Sequence, residues 1–298
     1  MEDGSGAPVL EKPTEGHLAA RKRALASTSL MNTAGKIGYL IARNLYWRIR
    51  RYKNAKGYYL GDFIAYRLRF RRDMREMTRL PGLEVLAGKQ FVFYPLNTEP
   101  ERALQGLSPE YLSQLSCITS ISRDLPAGVM LVVKEHSVAI GRRPADFYKQ
   151  ISEFKNVVMV NVTELGMEIV RKASAVVMIT GSVGFEAAVI GKPVITFGQH
   201  CGYSFLPHVR TVTSESQLSG YLKDALLGDF DAERARIDGA RFLKAIVQVS
   251  SNLAKDFERD PSGFDSEMVD VAYAGLMETF DSTTNLAPPK SAPVIEQA

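Results

Sequence analysis

The chain has 298 residues, 45% hydrophobic and 23% charged, which gives it material for a sizeable core and excludes a disordered or fibrous class. Its net charge is only +4, but Lys36 to Arg79 holds 13 Lys/Arg against Asp62, Asp73 and Glu76, a local +10 that leaves −6 for the rest. The two cysteines, Cys117 and Cys201, exclude a disulfide framework, the four scattered histidines exclude a zinc pattern, and no run approaches the ~18 apolar residues of a membrane span.

Residues 1–33 are polar, with Gly, Pro and Ser and no apolar signal core, so a disordered tail and a cytoplasmic location are expected. Residues 34–86 read as a basic amphipathic helical segment. Ile37, Leu40, Ile41, Leu45 and Ile49 recur at helical spacing, Arg43, Arg48, Arg50 and Arg51 mostly take other faces, and Tyr46 and Trp47 add aromatic bulk. Such a block fits a helix lying on the anionic inner face of the cytoplasmic membrane. It equally fits a connector whose apolar stripe packs on the next domain, and periodicity leaves both open. Nucleic-acid binding is not expected, since no recognised module is present. A second helix is expected from Leu60 to Leu80, ended by Pro81-Gly82.

From residue 87 the rhythm changes to short apolar runs alternating with helical spacing. "QFVFYPL", "GVMLVVKEH", "NVVMVN", "SAVVMIT" and "KPVITFG" read as strands. "PEYLSQLSCITSISRDL", "PADFYKQISEF", "TELGMEIVRKA" and "GFEAAVI" read as the helices between them, with Thr163 and Glu164 as caps of the third. Further helices are expected in "SESQLSGYLKDALLG", "DAERARIDGARFLKAIVQVSSNLAKDF" and "SEMVDVAYAGLMETF". The fold class is α/β: a single Rossmann-like parallel-sheet domain over residues 87–280, preceded by basic α-helices. Residues 281–298 are expected to be a disordered tail.

Open parallel sheets bind ligands outside the carboxyl ends of their strands. Three such ends carry candidates. In "ITGSVGFE", Gly181 and Gly184 allow a tight turn with positive φ and a close backbone approach to a ligand. Free amides at the start of the following helix favour a phosphate oxygen, and Thr180 and Ser182 add hydroxyls. Glu186 suits sugar or ribose hydroxyls; a plain strand-to-helix turn explains the same residues equally well. In "VVKEHS", Lys134, Glu135 and His136 end a very apolar strand, so at least one of them reaches the crevice. His136 can donate to a leaving phosphate, a structural role being the commoner one for a lone strand-end histidine. In "NTEPE", Glu99 and Glu101 could hold hydroxyls, but capping a helix near Pro109 is the favoured role. His200, Tyr203 and His208 could line the same mouth, a plain surface loop being the simpler expectation.

The succession "FVFYPLNTEPE", "LPAGVMLVVKEHS", "ITGSVGFEAAVIGKPVITFG" resembles the bacterial capsule polysaccharide biosynthesis family, which includes Kdo transferases, over residues 88–230. The resemblance implies a GT-B glycosyltransferase, with a nucleotide-sugar donor of the CMP-Kdo or UDP-sugar type held by this domain. It implies that His136 contacts the donor phosphate, although Ser137 stands where the family has Pro. It carries the donor-binding loop over to Ser182, Gly184 and Glu186. The family's acceptor half and its catalytic base have no counterpart before Phe91. The chain is therefore expected to be a fragment, to work with a partner supplying an acceptor domain, or to be a catalytically inactive donor-binding module. A lipid-linked glycan is the implied acceptor, and neither cofactor nor metal is called for. The alternatives are a nucleotide-sugar 2-epimerase-like enzyme and a non-catalytic assembly factor.

Overall fold

The computed structural model describes residues 26, 29–50, 60–99, 102–250, 269–271 and 273–277. They fall into two compact units, 1–240 and 241–298. The first contains one sheet of six strands: β1 (Phe91–Pro95), β2 (Met130–Lys134), β3 (Val157–Val160), β4 (Ala175–Met178), β5 (Val194–Thr196) and β6 (Val209–Thr211). Their order is β3-β2-β1-β4-β5-β6 and every pair is parallel. The near-continuous Val, Ile and Phe runs have this cause, because both faces of a parallel sheet are covered. β6 has no counterpart among the strands expected from the sequence. It is a three-residue edge strand with Arg210 exposed, too short and too polar to show a pattern.

The helices of this unit are α1 (Leu30–Ile49), α2 (Leu60–Met77), α3 (Arg102–Leu107), α4 (Gln114–Asp124), α5 (Phe147–Ser152), α6 (Gly166–Lys172), α7 (Ser182–Val189) and α8 (Leu218–Leu227). α9 (Ala232–Val249) begins in it and runs into the second unit, where residues 269–271 and 273–277 are also helical. α1 begins at Leu30, inside the stretch expected to be a tail. α3 is an additional helix, in a stretch between β1 and Pro109 that shows no helical pattern. α6 begins at Gly166 rather than at Thr163. Asn161 Oδ1 accepts from the Thr163 amide at 2.9 Å and its hydroxyl at 2.8 Å, and this turn delays the helix. The expected tail at 281–298 lies outside the described residues, as do residues 1–25.

Alternation sorts the strand residues between two layers. Val92, Tyr94, Leu131, Val133, Val177 and Ile195 face a core shared with Ile118 and Ile121 of α4, Ile151 of α5 and Leu222 of α8. Each such aliphatic side chain contributes roughly 1.5–3 kcal/mol by leaving water. Helices α6 and α7 cover strands on the other face. Met74 and Met77 of α2 join the first core, so α2 packs on the sheet. The approach is close at Gly141, where φ is +79° and a Cβ would stand 2.8 Å from Phe70 Cα. α1 packs on α2 in turn. Its Ile41, Leu45 and Ile49 are exposed, so they do not pack on the sheet domain as a connector's stripe would.

His208 precedes β6 and therefore lies at the amino end of the sheet, away from the expected mouth. A parallel β6 requires the chain to return there before it starts. His208 is buried beside a cleft of about 400 Å³ between Pro193 and Asp238, with Nε2 2.8 Å from the Ala188 carbonyl oxygen. Burial lowers its pKa below the ordinary value, against the opposing pull of that carbonyl and of Asp238. The unfolded chain thus takes up the proton first, near pH ~6.5. Stability is full above that pH and falls as pH drops toward the lower folded value. Urea unfolding between pH 7.5 and about 5 should show this loss, and His208→Gln should flatten it.

Candidate functional site

Strand order reverses between β1 and β4, so the crevice at a doubly wound sheet's switch point opens between their carboxyl ends. Beyond β1 the chain runs Leu96-Asn97-Thr98-Glu99, and beyond β4 it runs Ile179-Thr180-Gly181-Ser182. Asn97 Nδ2 donates to the Thr180 carbonyl at 2.8 Å and ties the two ends together. Gln114 of α4 fixes Asn97 from behind. Its Oε1 accepts the Asn97 amide at 2.7 Å and its Nε2 donates to the Asn97 carbonyl at 2.9 Å. The same Nε2 also bonds Glu99.

The β4 side carries the glycine turn. Gly181 has φ +133° and ψ −179°, a conformation essentially confined to glycine, and it is the N-cap of α7. The helix therefore starts at Ser182, two residues before the "GFEAAVI" stretch expected to form it. Gly181 and Ser182 are exposed, and the N-cap residue has no side chain to cap the first-turn amides. Gly184 does not share the positive φ expected of it; it is a buried helical residue. A Cβ there would collide with the Tyr203 hydroxyl and Met178 Sδ, so this glycine makes room for protein packing. Tyr203 donates to the Gly181 carbonyl at 3.2 Å, and its hydroxyl pKa is pushed well up by burial. Thr180 is buried, with Oγ1 3.8 Å from Cys201 Sγ. Glu186 is half-buried on α7, and His200 is exposed.

On the β2 side, alternation continues past the strand. Leu131, Val133 and Glu135 point to the core face, and Glu135 is fully buried at 0% exposure. Arg143 answers it with two parallel bonds, Nε to Oε2 at 2.7 Å and Nη2 to Oε1 at 2.8 Å. Tyr148 donates to Glu135 Oε2 at 3.0 Å, and the His136 amide donates to Oε1 at 2.7 Å. Arg143 Nη2 also donates to the Asn97 carbonyl at 2.6 Å. Its Nη1 stands 3.2 Å from Glu99 Oε1, near enough for attraction but misaligned for a hydrogen bond. The guanidinium carbon lies 5.0 Å from the Phe147 ring centroid. Burial works against the Arg143 charge, yet the bonds to Glu135 and the nearby carboxylates outweigh it and raise its pKa. Burial, then the Glu135 charge, push the Tyr148 hydroxyl well up.

His136 is exposed on the turn after β2, where Nδ1 accepts the Val138 amide at 3.3 Å. Lys134 is half-buried on the opposite face. Burial lowers its pKa against the attraction of Glu135 and Glu164. A continuous chain thus links the His136 backbone, Glu135, Arg143, Asn97 and the Thr180 carbonyl that precedes the glycine turn. Sequence reading missed Glu135, Arg143, Asn97 and Gln114 as its members. The available signal was a carboxylate on the buried phase of an apolar strand, with Arg142-Arg143 soon after it. Glu99 belongs to this network, whereas Glu101 lies outside the described residues. Among the described residues no group of His, Cys, Asp and Glu could hold a metal ion.

The chain is 18% identical to the beta Kdo 2,4 transferase of Thermosulfurimonas dismutans KpsC, covering 47% of this chain and 44% of that one at TM-score 0.35. It is 20% identical to the beta Kdo 2,7 transferase of the same KpsC, covering 62% and 66% at TM-score 0.35. S. aureus MnaA, solved with UDP, is 11% identical, covering 56% and 46% at TM-score 0.37. The chain thus spans 44–66% of the length of these solved structures. No curated protein matches it. The family model described as capsule polysaccharide biosynthesis protein matches residues 10–206, more than half of the chain and the whole of the site from Asn97 to Tyr203. The chain belongs to the capsule polysaccharide biosynthesis protein family.

Proposed function

We propose that this chain binds the nucleotide-activated sugar used by a glycosyltransferase of capsule or surface polysaccharide synthesis. The observation that carries the proposal is the uncapped start of α7 opening at the switch point, with Gly181 and Ser182 exposed. First-turn amides and the helix dipole favour a phosphate there. Gly181 lets the backbone approach the anion without a side chain in the way. The Ser182 hydroxyl adds a donor, and His136 on the neighbouring side of the mouth supplies a proton or positive charge to the departing nucleotide phosphate. Glu186 would hold hydroxyls of sugar or ribose, and Lys134, at the carboxyl end of β2, would add positive potential from that side of the sheet. The donor is a substrate, and no resident cofactor or metal is invoked. The base that activates the acceptor, a lipid-linked or other glycan, would come from an acceptor domain outside this chain.

Calorimetric titration with CMP and with UDP tests the proposal. One of them should bind the wild-type chain, and His136→Ala should weaken that binding by about 10–100-fold, as expected for a lost charge-assisted hydrogen bond. Binding of neither nucleotide, or equal binding by wild type and variant, contradicts it. Conversion of a UDP-sugar to its epimer with no acceptor present would favour the epimerase reading instead.

A further inference from the structure

α1 presents two unlike faces. Toward α2 lie Thr33, Ile37, Leu40, Arg43, Asn44 and Trp47, all buried or half-buried. The Arg43 guanidinium carbon stands 4.6 Å from the Trp47 ring centroid, and both residues are half-buried. The opposite face carries Leu30, Met31, Ala34, Gly38, Ile41, Ala42, Leu45 and Ile49, all exposed and none polar. Ile41 is 48% exposed, Leu45 57%, Ile49 71% and Met31 85%. The stripe runs the whole helix, about 30 Å at 1.5 Å per residue. Contiguous apolar surface of this kind marks an interaction site.

Charge identifies its occupant. Arg48 stands one turn after Leu45 at the carboxyl end of the stripe, Arg50 caps the helix with its guanidinium carbon 5.8 Å from the Tyr46 ring centroid, and Arg51, Lys53 and Lys56 follow within six residues in sequence. The segment from Lys36 to Arg79 is +10, so a second copy docked stripe to stripe would bring two such segments together. An anionic bilayer instead matches both features, since acyl chains take the stripe and headgroups take the arginines. Among the described residues no helix is long and apolar enough to cross a membrane, which fits a helix lying in the surface. We infer that the outer face of α1 docks on an anionic lipid surface, with the stripe buried at the headgroup boundary and Arg48 and Arg50 among the headgroups. This inference does not rest on the donor-site reading.

Flotation of the full chain with phosphatidylcholine vesicles, with and without phosphatidylglycerol, tests it. Recovery should require phosphatidylglycerol and should fall at high salt. Arg48→Gln with Arg50→Gln should weaken partitioning by about 25-fold, at about fivefold per arginine. Ile41→Ser with Leu45→Ser should weaken it more than about tenfold, with unchanged circular dichroism and melting, because both side chains are exposed. Equal recovery with neutral and anionic vesicles, or full binding by the serine variant, overturns the inference. So does self-association without vesicle binding that the serine variant abolishes, which would assign the face to a second copy.

Discussion

Arg143→Ala should cost about 3–5 kcal/mol of folding free energy, the loss expected when one partner of a buried ion pair is removed. Glu135 has no access to water, and two of its bonds come from the guanidinium. Alanine would leave that carboxylate with only the Tyr148 hydroxyl and the His136 amide. The Asn97 carbonyl would lose one of its two donors. Urea denaturation measures the loss directly. Glu135→Gln combined with Arg143→Met should lose much less, because no buried charge remains. A loss under about 1 kcal/mol in the alanine variant would mean that solvent reaches Glu135 and that the network does not organise the mouth.

Gly191→Ala should be nearly as damaging, at about 3 kcal/mol. Gly191 ends the turn after α7 with φ +76°, where an L side chain is strained by roughly 1–2 kcal/mol. A Cβ there would also collide with Arg236 N and stand 2.6 Å from Arg236 Cα. Backbone cannot move aside as a side-chain tip can, so overpacking adds about 1–3 kcal/mol. Gly128→Ala separates the two costs. Its φ is +86° but its Cβ would meet nothing within 4 Å, so only the conformational part, about 1 kcal/mol, should appear. Equal melting shifts for the two variants would contradict the close approach of α9 to this turn.

These two positions show what is legible in a sequence and what is not. "GKPVITFG" announces a turn and a strand because glycine, proline and β-branched residues have local preferences. Five strands and the parallel α/β class emerge from such patterns. That α9 returns to press on Gly191 depends on contact with the distant Arg236, which no local pattern encodes. The same limit applies at the site. Gly181, Ser182 and His136 stand out as candidates because they follow strand ends, where open sheets place their ligands. Arg143 is not, because its partner is identified only once the phase of β2 and the path back from Ser137 are known. Gly184 shows the converse: it reads as a loop glycine, but Tyr203 and Met178 require it for packing. α1 is legible as amphipathic, whereas the direction of its stripe depends on α2 occupying the sheet first.

On the proposed function, the start of α7 receives the phosphate of an activated sugar. Titrating 15N-labelled protein with CMP and UDP while following the backbone amides tests it most directly. The amides of Ser182, Val183 and Gly184 should move first and furthest, together with the ring of His136. Shifts confined to the cleft between Pro193 and Asp238, or none with either nucleotide, would contradict it.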